Sequence, residues 1–288
     1  MLFRKIEKII ENHLKSDSNK VMIINGARQI GKSFIIRYAG QKVFPNYIEI
    51  NLLEDSMGAR RFANVKTVSD FYFQVSMFSG EKMKDKDSTL IFLDEIQEYP
   101  HLLALLKFLK QDDRFTYIAS GSLLGVTLAN TSSIPMGSIA VTQMYPLDFE
   151  EFLYANGFNE FAVEAIREKF LRSESLDEST HNIVLDLFKK YLLIGGLPDA
   201  VNSYLKDYNI VSVRAIQAEI HEYYAADAST YEAEKKLKIR RIYDMIPSTL
   251  ENKKKRIIIK NIENIKGKTY SQYQDEFDYL INSGIALE

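Results

Sequence analysis

Apolar residues fall along this chain in two patterns. Short unbroken runs, such as Val21-Met22-Ile23-Ile24 and Leu90-Ile91-Phe92-Leu93, are bounded by polar or small residues. Such runs predict strands buried on both faces of a parallel sheet. Five are expected: Val21 to Asn25, Tyr47 to Asn51 with Pro45 at its entrance, Leu90 to Glu95, Phe115 to Ser122, and Ser138 to Met144 with Pro146 ending it. Elsewhere apolar positions recur at helical spacing. Ile6, Ile9, Ile10 and Leu14 mark a helix over 2–14 that packs on the sheet. Leu102, Leu105, Leu106 and Leu109 mark a second, opened by Pro100. Phe71 to Phe78 reads as a core helix capped by Ser69.

Past Pro146 the helical pattern takes over. Leu147 to Thr180 is charge-rich, a further helix stops on glycine at Gly195, and Val211 to Ala226 is another, with a short polar break at 225–230. Ile239 to Tyr243, Ile257 to Ile259 and Phe277 to Ile281 read as three helices of a winged-helix-like bundle. The fold class is therefore α/β followed by all-α. Three domains are expected: an α/β domain over 1–155, a helical lid over 156–234 and a basic bundle over 235–288.

Composition narrows the function classes. With 46% hydrophobic and 26% charged residues, the 288-residue chain is ordinary for a globular protein. There is no cysteine, which excludes disulfides and thiolate metal sites. No apolar run reaches membrane-spanning length, and the N-terminus lacks a signal-peptide core. A cytoplasmic location without membrane contact is expected. The net charge of −2 argues against a whole-chain nucleic-acid coat. Locally the balance differs, with 12 Lys/Arg against 3 Asp/Glu between Lys235 and Lys268. That stretch is either a DNA-binding surface, with Lys253 to Arg256 exposed, or a solvated or protein-docking face. His13, His101, His181 and His221 have no metal-ligand spacing and are expected at the surface.

The candidate chemistry lies where strands end. Gly26-Ala27-Arg28-Gln29-Ile30-Gly31-Lys32-Ser33 reads G-x-x-x-x-G-K-[ST] between a strand and a helix that begins with Phe34. This is the phosphate-cradling P-loop: backbone N–H groups and the helix dipole face the phosphates. Residues 26–34 are the expected nucleotide contacts, with Lys32 on the β- and γ-phosphates and Ser33 on Mg²⁺. The strand Leu90 to Leu93 ends in Asp94-Glu95. Asp94 is the expected Mg²⁺ ligand and Glu95 the base that activates water. Ser120, at the small polar end of the fourth strand, is the expected sensor of the γ-phosphate or of that water.

These stretches, with Leu93-Asp94-Glu95-Ile96-Gln97, Tyr145-Pro146-Leu147 before Glu150-Glu151-Phe152, and Gly195-Gly196-Leu197-Pro198, resemble a family of bacterial and archaeal AAA-type P-loop ATPases related to the STAND NTPases. The resemblance is clear over residues 1–205. It implies a five-stranded sheet ordered 5-1-4-3-2, ATP with Mg²⁺ as ligands, and Gly196 and Pro198 near the adenine. It also implies a further C-terminal domain, often nuclease-like, so that a chain ending in Leu287-Glu288, a dipeptide typical of a cloning site, reads as truncated.

The resulting expectation is an ATP-hydrolysing switch, with a homo-oligomer as a possible state. A nucleotide-regulated DNA-binding or scaffold protein with negligible turnover is the alternative. A small-molecule kinase would need an Arg-rich lid and an acceptor pocket, and neither is seen. A GTPase would need N-K-x-D, which Asn252-Lys253-Lys254-Lys255 does not supply. Arg28 and Arg114 are the only guesses at a charge-stabilising arginine.

Overall fold

Five parallel strands, β1 (Val21–Asn25), β2 (Asn46–Asn51), β3 (Thr89–Asp94), β4 (Thr116–Gly121) and β5 (Ile139–Gln143), pair in the order β2-β3-β4-β1-β5. This is the expected order, counted from the other edge. The computed structural model describes residues 1–122, 137–228, 233–251 and 255–286, with backbone alone at 227–228 and 233–236. Every residue of β1 and β3 is buried, whereas only Ile48 and Ile50 of the outer strand β2 and Ile139 of the outer strand β5 are. The unbroken apolar runs thus mark strands covered on both faces, and the weaker ones mark the edges.

Strand alternation divides the core in two. On one face Met22, Ile24, Leu90, Phe92 and Ile118 pack against α1 (Lys5–Lys15) and α2 (Lys32–Val43) through Ile10, Ile36 and Ala39. On the other, Ile23, Ile91, Leu93 and Ala119 meet α4 (Val68–Ser79) and α5 (Pro100–Asp112) through Phe71, Val75, Leu102 and Leu106. Between β2 and α4 lies a short α3 (Leu52–Met57) that the apolar pattern did not announce. Two details differ from expectation. The cap of α4 is Thr67, in a capping box with Asp70, because Thr67 stands three residues ahead of the carboxylate that reaches back to it. The outer faces of α1 and α4 also stay accessible: Ile9, Phe73 and Met77 are 49%, 61% and 67% exposed.

Beyond the sheet the chain is helical: α6 (Phe149–Ala155), α7 (Glu160–Leu171), α8 (Glu178–Ile194), α9 (Pro198–Asp207), α10 (Ile210–Ala228), α11 (Ala233–Glu251), α12 (Lys260–Glu263) and α13 (Gln274–Asn282). Leu147, Phe152, Ile194, Val201, Tyr204 and Val213 form one core, and Ala225, Ile239, Ile242, Tyr273 and Leu280 another. Helix α10 supplies residues to both and runs unbroken through 225–228, where a break was expected. Ile257 and Ile258 are not helical, and the helix of that region is only the single turn α12. Among the described residues this C-terminal bundle contains no strand. Lys253, Lys254 and Leu287-Glu288 lie outside the described residues.

Candidate active site

The sheet order brings three strand ends to one edge. The residue pairs Asn25 with Gly121 and Leu93 with Ala119 set β1, β4 and β3 side by side. The loop after β1, the carboxylates ending β3 and the hydroxyls ending β4 therefore converge. Parallel α/β sheets present their ligand sites at this edge.

The loop needs its glycines for distinct reasons. A Cβ on Gly26 would stand 2.3 Å from the Met144 carbonyl oxygen, so no larger residue fits beside the strand exit. Gly31, at φ +90°, holds a left-handed conformation as the N-cap of α2. Gln29 shares that region without being glycine, at φ 61°. Lys32 is buried, and its Nζ donates to the carbonyls of Gly26 at 3.0 Å and Ala27 at 2.8 Å. The ammonium is thus folded over the loop it belongs to. Arg28 donates through Nε to Ser122 Oγ at 3.3 Å.

Asp94 and Glu95 are adjacent in sequence but differently held. Asp94 is buried, and Oδ1 accepts a hydrogen bond from the Ser120 hydroxyl. Burial pushes its carboxyl above the usual carboxylate range, against the hydroxyls of Ser120 and Ser33, which favour the charged form. Glu95 sits at φ 55°, a costly conformation for a residue with a side chain. Its Oε2 accepts from Gln97 Nε2 at 2.6 Å, from Ser122 Oγ at 2.8 Å and from the Ser122 N–H at 3.4 Å. Burial pushes this carboxyl up, but the Lys32 ammonium, Gln97, Ser122 and the Arg28 guanidinium together hold it below its ordinary value.

The donor set at Ser33 and Asp94 suits a hard divalent cation. It is all oxygen, and a buried carboxylate there is met by hydroxyl groups and repelled by Glu95 and Glu49. Among the described residues no cluster of three or more His, Asp or Glu could cage a metal. Two protein oxygens leave the other positions to phosphate and water, the usual habit of Mg²⁺.

Residues 18–153 match a family described as an AAA domain, and residues 185–288 match one described as a domain of unknown function. The chain carries an AAA domain over residues 18–153. A Walker-type ATPase of Pyrococcus abyssi superposes on it with a TM-score of 0.59, over 98% of this chain and 90% of that one, at 13% identity. At that identity the likeness is one of fold. An uncharacterized protein of Haemophilus influenzae is 23% identical over 198 residues, which are 66% of this chain and 44% of that protein. The chain spans less than half the length of that relative.

Beside the P-loop of this AAA domain lies a cavity of about 310 Å³, lined by Leu2, Arg4, Gln29, Gly31, Phe34, Pro198 and Asn202 among others. The Phe34 ring is 55% exposed. Pro198 is close to Gly31, its Cγ lying 3.8 Å from where a Cβ on that glycine would be. Gly196 lies at a tight backbone crossing. A Cβ there would meet the Leu147 carbonyl oxygen at 2.0 Å, so the glycine serves a close backbone crossing. The Leu147 N–H donates to the Gly196 carbonyl at 2.7 Å across that crossing. Ser120 is fully buried and its hydroxyl donates to Asp94, while Ser122 is the hydroxyl at Glu95. Sequence reading quoted Gln97 only within the family-like stretch and gave neither it nor Ser122 a role of its own. A larger groove of about 1190 Å³ runs along Tyr72, Asp85 and Arg114 and contains none of these residues.

Proposed function

We propose that this chain binds ATP with Mg²⁺ and hydrolyses the β–γ phosphoanhydride. The observation that carries this reading is the meeting of Lys32, Ser33, Asp94 and Glu95 at one sheet edge, around a loop of backbone N–H groups. The P-loop from Gly26 to Phe34 binds the polyphosphate. Phe34 and Pro198 wall the adjoining cavity, whose size suits a nucleobase. Ser33 and Asp94 would hold the Mg²⁺, which when bound neutralises charge on the β- and γ-phosphate oxygens. Lys32 adds a fixed positive charge at the same phosphates. Glu95 orients the attacking water and accepts its proton. Because Oε2 is held by Gln97 and Ser122, the proton goes to Oε1. The water oxygen bonds to the γ-phosphorus as the bond to the bridging oxygen breaks, giving ADP and phosphate. Ser120 keeps Asp94 in place.

The parts are proposed to divide as the α/β domain over 1–155, a lid over 156–234 and the basic bundle over 235–288. Action in the cytoplasm as a switch, with a homo-oligomeric state, completes the reading. No helix among the described residues is long and apolar enough to cross a membrane.

Titration of the chain with ATP and Mg²⁺, followed by phosphate-release assays, tests this reading. Lys32→Ala is expected to abolish binding while leaving the fold intact. Glu95→Gln is expected to keep binding and lower turnover by about 10²–10⁴. A wild-type chain that shows no nucleotide binding would refute it.

The basic stretch from Lys235 to Lys268 supports a second reading, nucleotide-regulated DNA binding. Each phosphate neutralised contributes about 0.9 to the log–log salt slope. Replacing Lys253 to Arg256 by alanine should flatten that slope. A chain that binds no duplex at moderate salt removes this second reading and leaves the first untouched.

A further inference from the structure

Arg4 belongs to no motif and precedes α1, yet it is only 7% exposed. Its guanidinium spans three parts of the site. Nη1 donates to the Ile30 carbonyl at 3.0 Å and Nη2 to the Tyr145 carbonyl at 2.6 Å. Nε lies 3.2 Å from Glu151 Oε2, a carboxylate buried in α6. The Lys5 N–H donates to the other oxygen of Glu151 at 2.7 Å, so the counter-charge is itself fixed. A planar fork held in this way has little freedom left.

Ile30 is the residue before Gly31. In a trans peptide the carbonyl of one residue and the N–H of the next point to opposite sides of the chain. Holding the Ile30 oxygen toward Arg4 therefore turns the Gly31 N–H away from Arg4. Gly31 would not hold that peptide by itself, since glycine turns between conformations at small cost. The residue that lets phosphate approach closely is also the one least able to aim its own N–H.

Stability alone does not explain the arrangement. A buried ion pair replaced by well-packed apolar residues is often as stable or more so. What apolar residues cannot do is donate to two backbone carbonyls at once. We propose that Arg4 is a positioning residue for phosphate binding: by gripping the Ile30 carbonyl it aims the Gly31 N–H at the polyphosphate, and through Tyr145 it locks the loop to the strand exit leading into the lid. This inference rests on the P-loop reading given above.

The test compares wild type with Arg4→Lys, which keeps a charge for Glu151 but has no fork, and with the double variant Arg4→Met/Glu151→Met, which leaves no charge unpaired. Inorganic triphosphate is the probe, titrated calorimetrically, and thermal melts of the free protein report folding. Both variants are expected to melt cooperatively and to bind triphosphate about 10- to 100-fold more weakly, the loss typical of a charge-assisted hydrogen bond. The KM for ATP should rise by a similar factor with kcat unchanged, because an N–H that holds ground state and transition state alike affects only binding. A loosened fold would instead reduce the active fraction and hence kcat. Folded variants that bind triphosphate as tightly as wild type, or that lose kcat at unchanged affinity, overturn the proposal. Where Arg4→Lys does not fold, the double variant decides. Lys32→Ala separates the two levels: loss there with retention in the Arg4 variants overturns the role of Arg4 alone, whereas a wild type that binds no triphosphate removes the P-loop reading and this inference together.

Discussion

The Tyr224 hydroxyl donates a hydrogen bond of 2.7 Å to the carbonyl of Arg28, 196 residues away in the chain. Tyr224 lies on α10 and packs against both the P-loop side of the sheet and the C-terminal bundle. The loop is therefore gripped from the C-terminal half of the molecule through its own backbone. Removing the hydroxyl leaves the packing and deletes one partly buried bond. Tyr224→Phe is expected to lower stability by about 1 kcal/mol. Urea melts should show a lower midpoint at unchanged slope. An unchanged midpoint would mean that the bond contributes nothing in solution.

Ser122 and Ser120 should separate two functions. Ser122→Ala takes a hydroxyl from Glu95, whose backbone already occupies an unfavourable region. Turnover is expected to fall about tenfold with ATP affinity retained, the pattern of a group that matters to the carboxylate proposed to activate water. Ser120→Ala instead loosens Asp94, and should raise the Mg²⁺ concentration needed for half-maximal activity. Steady-state assays across Mg²⁺ concentrations check both. Identical profiles for the two variants would contradict the separate placement of the hydroxyls.

Gly196→Ala introduces a methyl group 2.0 Å from a backbone oxygen, and backbone cannot swing aside as a side chain would. The crossing between residues 147 and 196 must open, breaking the Leu147–Gly196 bond. A loss of about 1–3 kcal/mol is expected, together with a displaced Pro198 beside Gly31. Thermal melts measure the first effect and ATP affinity the second. Gly80→Ala is not a matched control, because φ there is +57° although nothing lies within 4 Å.

His13 predicts a specific pH dependence. Burial holds its imidazole below the ordinary value of 6.5, and the Lys110 ammonium adds to this, against a hydrogen bond with the Lys20 backbone. For a base with a depressed folded-state value, the unfolded chain binds the proton more readily. Stability is therefore full above pH 6.5 and is lost as the pH falls from there toward the folded-state value. His13→Gln should flatten the melting midpoint across that interval, and an unchanged pH profile would rule His13 out as its source.

What the sequence revealed depended on distance along the chain. Lys32 and Ser33 are legible because the loop, its glycines and the following helix are contiguous. Asp94 and Glu95 are legible because a buried strand must end at the site. The sheet order came through family resemblance, since spacing alone does not specify neighbours. The grips on the loop were not legible: Arg4 reaches Tyr145 and Tyr224 reaches Arg28 across 141 and 196 residues. Periodicity placed Ile9, Phe73 and Met77 on helices correctly but could not say that these side chains stay accessible. Ser69 is a good cap by residue type, but the reach of Asp70 back to Thr67 sets the cap two residues earlier. Gly196 was recognised as special, yet its constraint is the backbone of Leu147, which no local pattern announces.

The place of β1 in the sheet has a consequence for synthesis. β1 leaves the ribosome before the other four strands, yet its partners are β4 and β5, with Val21 opposite Ile139. Pairings this far apart must bear the loop-closure entropy of the whole intervening chain before any ladder rewards them. The loop after β1 therefore stays unformed until more than a hundred further residues have been translated. A nascent chain has the motif long before it has the site, and only a finished sheet brings the strand ends together.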